Sequence, residues 1–440
     1  MEVLFDKFRQ PRAQADEPVY DCREGCFMKL YRDFSEAEFR SWIGEIKNDG
    51  FEVLQETENN GNLYACLMAE VQVNALFTPC DSILRVTVSE EKRTPCFYKT
   101  DCKGDGETAF YGFESDQALI DCGMCLLVQC PDYSFFVVDS GHYMQFNDND
   151  RIYKFMRERT PAGQKVVVNG WLLTHAHSDH ISKFMDFLRY NCYDTVIEGI
   201  YSNLIPDTYY AHTEWSREEV MLSKKLFKML SETEIPTYKL HTGQRFYIRN
   251  LAFDVLGTHE DIYPKKITDY NDSSCMVMMT AEGSRVFIPG DASVLSSVEL
   301  EKRYGETLKC DVVQISHHGH NGLSKRAYEY LNAEVAVFPI TRIKFDEEYP
   351  RIEANRRAIE LAKAYYITSD GTVKIPLPYS LDKIEVLPDE TFEDFGKINR
   401  LWRYDYTDER KAELYSMFTQ RGGDLNATNL PAEPDSKFEM

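Results

Sequence analysis

The apolar positions of the chain fall into two periods, and the change between them divides it. Over SEAEFRSWIGEIKNDG, Phe39, Trp42, Ile43 and Ile46 recur at helical spacing, which predicts an amphipathic helix. Ser35 and Glu38 stand as a capping box, and Gly50 is placed to end the helix. FEVLQET, NLYACLMAEVQV and SILRVTV follow as strand-like runs, with Asn60-Gly61 as a hairpin turn after the first. Residues 1–112 thus read as a small α+β accessory module.

From Phe113 the apolar runs are denser. CGMCLLVQC and SFFVVDSG read as two strands about a turn at Pro131-Asp132. KVVVNGWLLTHAH is a strand that ends in histidines. LAFDVLG, SCMVMMTAEG, SRVFIPGD, DVVQISHHG and AEVAVFPI read as further strands, with REEVMLSKKLFKMLSE and RIEANRRAIELAKAYY as helices among them. Many strands with interspersed helices predict an α/β or α+β sandwich over residues 113–383. Residues 384–440 are an acidic extension, and its polar end, NATNLPAEPDSKFEM, predicts partial disorder.

Composition narrows the classes. Of 440 residues, 43% are hydrophobic, enough for a substantial core. A net charge of −22 argues against a surface built to hold long nucleic acid or anionic lipid. No apolar run approaches the roughly eighteen residues of a membrane span. The opening MEVLFDKFRQ lacks a signal-peptide pattern, so a cytoplasmic protein with no membrane partner is expected. Twelve cysteines are too sparse for a disulfide scaffold, and reduced thiols are the expectation.

The candidate chemistry sits in LLTHAHSDHI, which holds three of the ten histidines. His175 and His177, two apart at a strand end, point the same way. Asp179 and His180 follow in the turn before a helix. Such a turn can aim two ligands at one metal and two at a neighbour, and imidazole with carboxylate suits Zn²⁺, Mn²⁺ or Fe²⁺. An exposed polar turn is the plainer alternative. The apolar strand before and the amphipathic helix after favour the metal site.

This motif resembles the signature of the metallo-β-lactamase superfamily, whose fold is a four-layer αββα sandwich. FFVVDSG resembles the early strand carrying a structural aspartate, here Asp139; VFIPGDA the strand ending in a metal-bridging aspartate, here Asp291. DVVQISHHG resembles the strand carrying the last histidine, here His317 or His318. YNDSSCMVM, EEYPRIEANRRAIE and ITSDGTVKI extend the likeness to the ComEC-like branch, over Phe113 to Ile375. The resemblance implies a hydrolase with two divalent ions, zinc first among the candidates. His175 and His177 would bind one ion, Asp179 and His180 the other, Asp291 both, and His317 or His318 the second.

The chain departs from the branch at several places. Asn271 to Ser274 stand where two-metal members usually carry another histidine, and His259 is near but not equivalent. HHGS reads HHGH, which puts His320 beside Asp179 as a candidate catalytic group. Tyr349-Pro350 replaces a histidine before proline, and Ser182-Lys183 replaces the small residues usual after the motif.

The branch is associated with nuclease or phosphodiesterase chemistry, which suggests phosphodiester hydrolysis of a phosphorylated small molecule or short nucleic acid. Only Lys183, Lys325, Arg326, Arg342 and Lys344 lie near the motifs as cations for phosphate. A lactone, thioester or amide hydrolase, or a degenerate regulatory site, are the alternatives. Cys122, Cys125 and Cys130 read as buried thiols, and Cys22 and Cys26 as a pair on one helical face, not a zinc site. His212 is expected on a helix surface and His241 as structural in a turn. The spread of aromatic residues points to core packing. The first module is left as a lid, a substrate selector, or a surface for an oligomer or protein partner.

Overall fold

Ser35 and Glu38 cap their helix reciprocally: the serine hydroxyl accepts from the Glu38 N–H, and the Glu38 carboxylate accepts from the Ser35 N–H at 2.8 Å. In this computed structural model, residues 2–387 are described except 17–18, 24, 116–119, 146–147, 193–194, 206–213, 264–266 and 268–269. The acidic tail beyond residue 387 and His212 lie outside the described residues.

After a single turn, α1 (Glu2–Phe5), the capped helix α2 (Glu36–Asn48) buries Phe39, Trp42, Ile43 and Ile46 on a six-stranded antiparallel sheet. The strand order is β1 (Tyr20–Asp21), β2 (Cys26–Tyr31), β6 (Ile83–Ser89), β5 (Gln72–Thr78), β4 (Asn62–Met68), β3 (Glu52–Asn59). NLYACLMAEVQV, expected as one strand, folds back on itself at Ala69–Val71, where Glu70 reaches solvent, and becomes β4 paired to β5. The first module was expected to run to residue 112. Thr108–Gly112 instead forms β7 of the next sheet, because its apolar residues pair with strands on both sides.

That sheet has nine strands: β13 (Thr237–Lys239), β12 (Ile200–Ser202), β10 (Val166–Leu173), β9 (Phe135–Asp139), β8 (Cys125–Gln129), β7, β21 (Thr372–Leu377) and β22 (Glu385–Leu387), with β11 (Thr195–Ile197) also on β10. A third sheet of seven runs in chain order: β14 (Arg245–Ile248), β15 (Leu251–Gly257), β16 (Met276–Ala281), β17 (Ser284–Ile288), β18 (Val312–Gln314), β19 (Val335–Phe338) and β20 (Ala364–Ile367). RIEANRRAIELAKAYY does not stay helical to its end; the Ala364–Ile367 stretch pairs with β19, where its two tyrosines suit a pleated surface.

The two large sheets face each other across Phe110, Phe136 and Leu172 on one side and Phe246, Phe253, Val277 and Val286 on the other. Phe136 and Phe253 lie 4.4 Å apart, centroid to centroid. Helices α3 (Asp148–Arg159), α4 (Ser178–Tyr190) and α5 (Glu214–Glu232) flank the nine-stranded sheet, with Ile152, Phe155, Phe184 and Leu226 in the shared core. Helices α6 (Val294–Tyr304), α7 (Lys325–Leu331), α8 (Arg342–Glu348) and α9 (Glu353–Leu361) pack on the seven-stranded sheet through Leu300, Leu331, Phe345 and Ala358. The order is helix, sheet, sheet, helix, the four layers expected from the sequence. Among the described residues no helix is long and apolar enough to cross a membrane.

The small sheet is fastened to this body. Gln55 donates to the Arg245 carbonyl at 2.6 Å and accepts from its N–H at 3.1 Å. Thr57 donates to the Gly243 carbonyl at 2.6 Å, and Asn60 and Asn62 to the Arg303 carbonyl at 2.7 and 2.9 Å. Arg85 of β6 and Arg303 of α6 converge on the buried carboxylate of Asp261. Gly243, at φ +96°, presses its Cα face on Tyr64, where a Cβ would come within 2.7 Å. These contacts engage β3, the start of β4 and Arg85 of β6 within the chain.

Phe136→Ala is expected to cost about 3–5 kcal/mol and Ser35→Ala about 1 kcal/mol, read from denaturant midpoints at constant slope. A shift for Phe136→Ala no larger than that for Ser35→Ala would contradict a core between the two large sheets.

Candidate metal centre

β10 delivers the histidine motif to the edge of the sandwich, and α4 starts at once after His177. Ser178 anchors that start: its N–H and hydroxyl both donate to the Glu219 carboxylate of α5, at 2.8 and 2.9 Å. From the facing sheet, the turn after β17 carries Asp291. Gly290 makes this turn possible, since at φ +60° any Cβ would lie 2.9 Å from Thr174. The Gln314 side chain, from β18, accepts from the Gly290 N–H at 3.0 Å and donates to its carbonyl at 2.9 Å. That clamp ties the Asp291 turn to the next one, where His317 and His318 both hold left-handed backbone at φ +52° and +55°.

The outcome is a convergence of acceptors. His180 is held by Asp139, whose carboxylate meets its Nδ1 at 2.7 Å while accepting from the Thr174 N–H at 2.8 Å and hydroxyl at 2.6 Å. His318 is held through Nδ1 on the Pro339 carbonyl at 2.9 Å. Each of these rings has its proton on Nδ1, so each presents the Nε2 lone pair inward. The two Nε2 atoms lie 3.2 Å apart. Asp291 Oδ2 is 3.1 Å from His180 Nε2 and 3.3 Å from His318 Nε2, and Asp179 Oδ2 is 2.9 Å from His318 Nε2. Lone pairs and carboxylates this close repel unless positive charge stands among them.

Protonation follows the same demand. Burial works against charging His318, yet Asp291 and Asp179 carry it up to about 10. Burial likewise opposes charge on His180, and Asp291, Asp179 and Asp139 hold it well above its ordinary value. Both aspartates resist burial and lie well below the usual carboxylate range, held there by His180 and His318. A divalent cation meets this demand better than stray protons, because it bonds every lone pair at once. Asp179, His180, Asp291 and His318 offer ligand atoms all within 4.8 Å of one another. Asp291 Oδ1 is buried with no hydrogen-bond partner among the described residues, an acceptor left over for a metal. Imidazole with carboxylate suits zinc, manganese or iron.

Of the residues named from sequence, these four come together. His175 adjoins them, with Nε2 3.9 Å from Asp291 Oδ2 and 3.2 Å from His177 Nδ1. Burial, and then His180, push the His175 ring well below its ordinary value. His317 turns away: its Nε2 meets the Asn271 amide at 3.2 Å and its Nδ1 faces the Asn321 carbonyl at 3.4 Å. His318 is thus the residue that joins the centre. His320 stands at the rim, its ring 6.4 Å from that of His318 and its Nδ1 3.9 Å from Glu348. Burial, with His318 and His317, lowers it to about 4.

The expected phosphate-facing cations are otherwise engaged. Lys183 is wholly buried and donates to Asp186 at 2.7 Å. Lys325 pairs with Glu353, Arg342 with Asp370, Lys344 with Glu348, and Arg326 reaches Tyr330 and Glu301. The sequence reading missed Glu219 and Thr174. Thr174 was visible as the residue before the motif; Glu219 is remote in sequence and left no pattern. Cys122, expected to be a buried thiol, is only half-buried. Cys125 and Cys130 are buried free thiols, as expected.

No protein-family model matches the chain, and no curated protein does. Among solved structures it is similar to unliganded yeast PDE1, at 13% identity over 60% of this chain and 98% of that one, TM-score 0.38. It is also similar to the metallo-β-lactamase fold protein YhfI from Bacillus subtilis, at 12% identity over 60% and 97%, TM-score 0.36. A third is a diphosphatase from the PhnP family, at 15% identity over 61% and 97%, TM-score 0.34. These likenesses are distant, and the reading of the centre rests on its own geometry.

His318→Ala is expected to abolish tight metal binding while His317→Ala retains it, as measured by chelator competition; equal losses would contradict the assignment. Asp139→Ala, which touches no metal, should weaken affinity by about 10- to 100-fold by freeing the His180 ring, with Asp139→Asn milder.

Proposed function

We propose that this protein is a metal-dependent hydrolase and that its substrates are phosphodiesters. One observation carries the reading: Asp179, His180, Asp291 and His318 aim unshared acceptors at a single point. A divalent ion there supplies a Lewis acid that acidifies water near neutral pH and offsets the charge of an anionic ester. A second ion would be held by His175 and His177, with Asp291 Oδ2 3.1 Å from His180 Nε2 and 3.9 Å from His175 Nε2.

The chain's own residues then have separate tasks. His180 and His318 keep their Nε2 atoms inward because Asp139 and the Pro339 carbonyl hold their Nδ1 atoms. Asp179, with 14% of its side chain exposed, is the most open of the four and the one nearest an incoming water. His320 stands on the rim as a partner for proton transfer. Phosphodiester chemistry is favoured by the ComEC-like likeness of the motifs.

The size of the substrate is limited by charge. With Lys183 buried and Lys325, Arg342 and Lys344 paired to carboxylates, no row of free cations from the expected set remains to follow a nucleic-acid backbone. That favours a small phosphodiester or a short single strand over duplex DNA. The same pairing leaves a lactone or thioester hydrolase as the second reading, since such substrates need no cationic rim.

The test is to strip the protein with chelator, restore Zn²⁺ or Mn²⁺, and assay bis(p-nitrophenyl) phosphate, cyclic nucleotides, short single strands, duplex DNA, a lactone and a thioester. Metal-dependent cleavage of the phosphodiesters is expected, with Asp179→Ala and Asp291→Ala each lowering turnover by more than about a thousandfold in folded protein. Turnover of only the lactone or thioester overturns the substrate assignment, and near-normal turnover in both variants overturns the centre.

A further inference from the structure

A second group of metal-ligating side chains lies apart from the residues described above. β1 and β2 pair antiparallel with Tyr20 opposite Met28 and Asp21 opposite Phe27, so the next pair is Cys22 and Cys26. The Cys22 N–H donates to the Cys26 carbonyl at 2.8 Å, closing that pair. Directly opposed residues put their side chains on one face with Cβ atoms about 5 Å apart. Both residues are buried, and both cysteines are free. The helical face expected for this pair does not exist; the spacing of four belongs to a tight hairpin.

His241 and Glu260 close on the same place from the body of the protein. His241 lies in the turn between β13 and β14, and Glu260 in the short helix Thr258 caps after β15. His241 Nδ1 meets the Glu260 carboxylate at 2.9 and 3.2 Å. Cys26, His241 and Glu260 are all buried, with ligand atoms within 4.8 Å of one another. Asn203 donates to the Glu260 Oε1 at 2.9 Å, which fixes the carboxylate.

We propose that Cys22, Cys26, His241 and Glu260 form a second metal site, a structural zinc site that staples the first hairpin to the sandwich. The chemistry of the four selects the ion. Two thiolates with an imidazole and a carboxylate are a tetrahedral zinc set, and thiolates disfavour magnesium and calcium. Bond lengths of about 2.3 Å to sulfur and 2.0 Å to nitrogen need a contraction of Cys26, His241 and Glu260 and a turn of the Cys22 thiol, opposite Cys26 in the hairpin, towards them. Charge also closes: two thiolates and one carboxylate give −3, and zinc leaves −1. Lys239, whose Nζ donates to the Cys22 carbonyl at 2.6 Å, supplies the balancing charge. Binding releases the two thiol protons to solvent. With all four ligands buried and no open position, the ion holds structure and takes no substrate.

The test separates this site from the catalytic one. Asp179→Ala/Asp291→Ala removes the first centre, and Cys22→Ser/Cys26→Ser the second. Zinc content by elemental analysis and the zinc X-ray absorption edge are read on each, and on the wild type. The aspartate variant should keep one equivalent with a sulfur shell; the cysteine variant should hold one equivalent fewer than wild type and lose that shell. If the cysteine variant does not fold, the aspartate variant alone decides, since cobalt in place of zinc then shows thiolate-to-metal charge transfer or does not. Scattering from nitrogen and oxygen only, absence of that charge-transfer band, or a native mass two protons light with no zinc, from a Cys22–Cys26 disulfide, overturns the proposal.

Discussion

The mutual repulsion of four inward-facing acceptors is the constraint on which the rest of this structure turns. Asp179, His180, Asp291 and His318 come from two sheets and three turns. Left alone, two carboxylates and two imidazole lone pairs at about 3 Å would drive those turns apart. Cationic charge reverses the sign of the interaction, and the ends of β10, β17 and β18 then draw together. The sandwich tolerates this arrangement because its apolar layers hold the strand ends rigidly on either side.

Rigidity at the centre comes from neighbours that never face the cation. Asp139 holds the ring of His180 from behind, and Thr174 holds Asp139 through two hydrogen bonds. Gln314 clasps both polar groups of Gly290, and so sets the Asp291 turn against the one that carries His318. Asp139, His317 and His318 all occupy left-handed backbone, a conformation that costs about 1–3 kcal/mol for a residue with a side chain. Such strain persists only where surrounding contacts compel it, and here they all compel the same geometry.

Much of this was legible in the sequence, because the motif residues are close together and end a strand of strict apolar character. Asp179 and His180 needed no long-range information to be named. The choice between His317 and His318 did. Two adjacent histidines look alike until the left-handed turn sends one towards Asn271 and the other onto the Pro339 carbonyl. That residues 108–112 join the later sheet was not legible, because β7 carries its own apolar pattern but takes both its partners from later in the chain. Lys183 looked like a cation for substrate, and nothing local revealed that Asp186, one helical turn on, would bury it. Cys22 and Cys26 were read at helical spacing because a spacing of four fits a helix as well as it fits a hairpin; only strand pairing tells them apart.

Where β3 and β4 meet the sandwich, the seam is lopsided. On one side the partners are side chains, Gln55, Thr57, Asn60 and Asn62; on the other they are backbone groups of Gly243, Arg245 and Arg303. Backbone amides are the same whatever residue bears them. Mutational drift at Arg245 would leave its share of the junction untouched, whereas drift at Gln55 or Asn62 would strip out a bond. Over many generations the smaller part would thus carry more of the burden at that edge, while Arg85 with Asp261, and Lys239 on the Cys22 carbonyl, keep side chains of the larger body under constraint elsewhere.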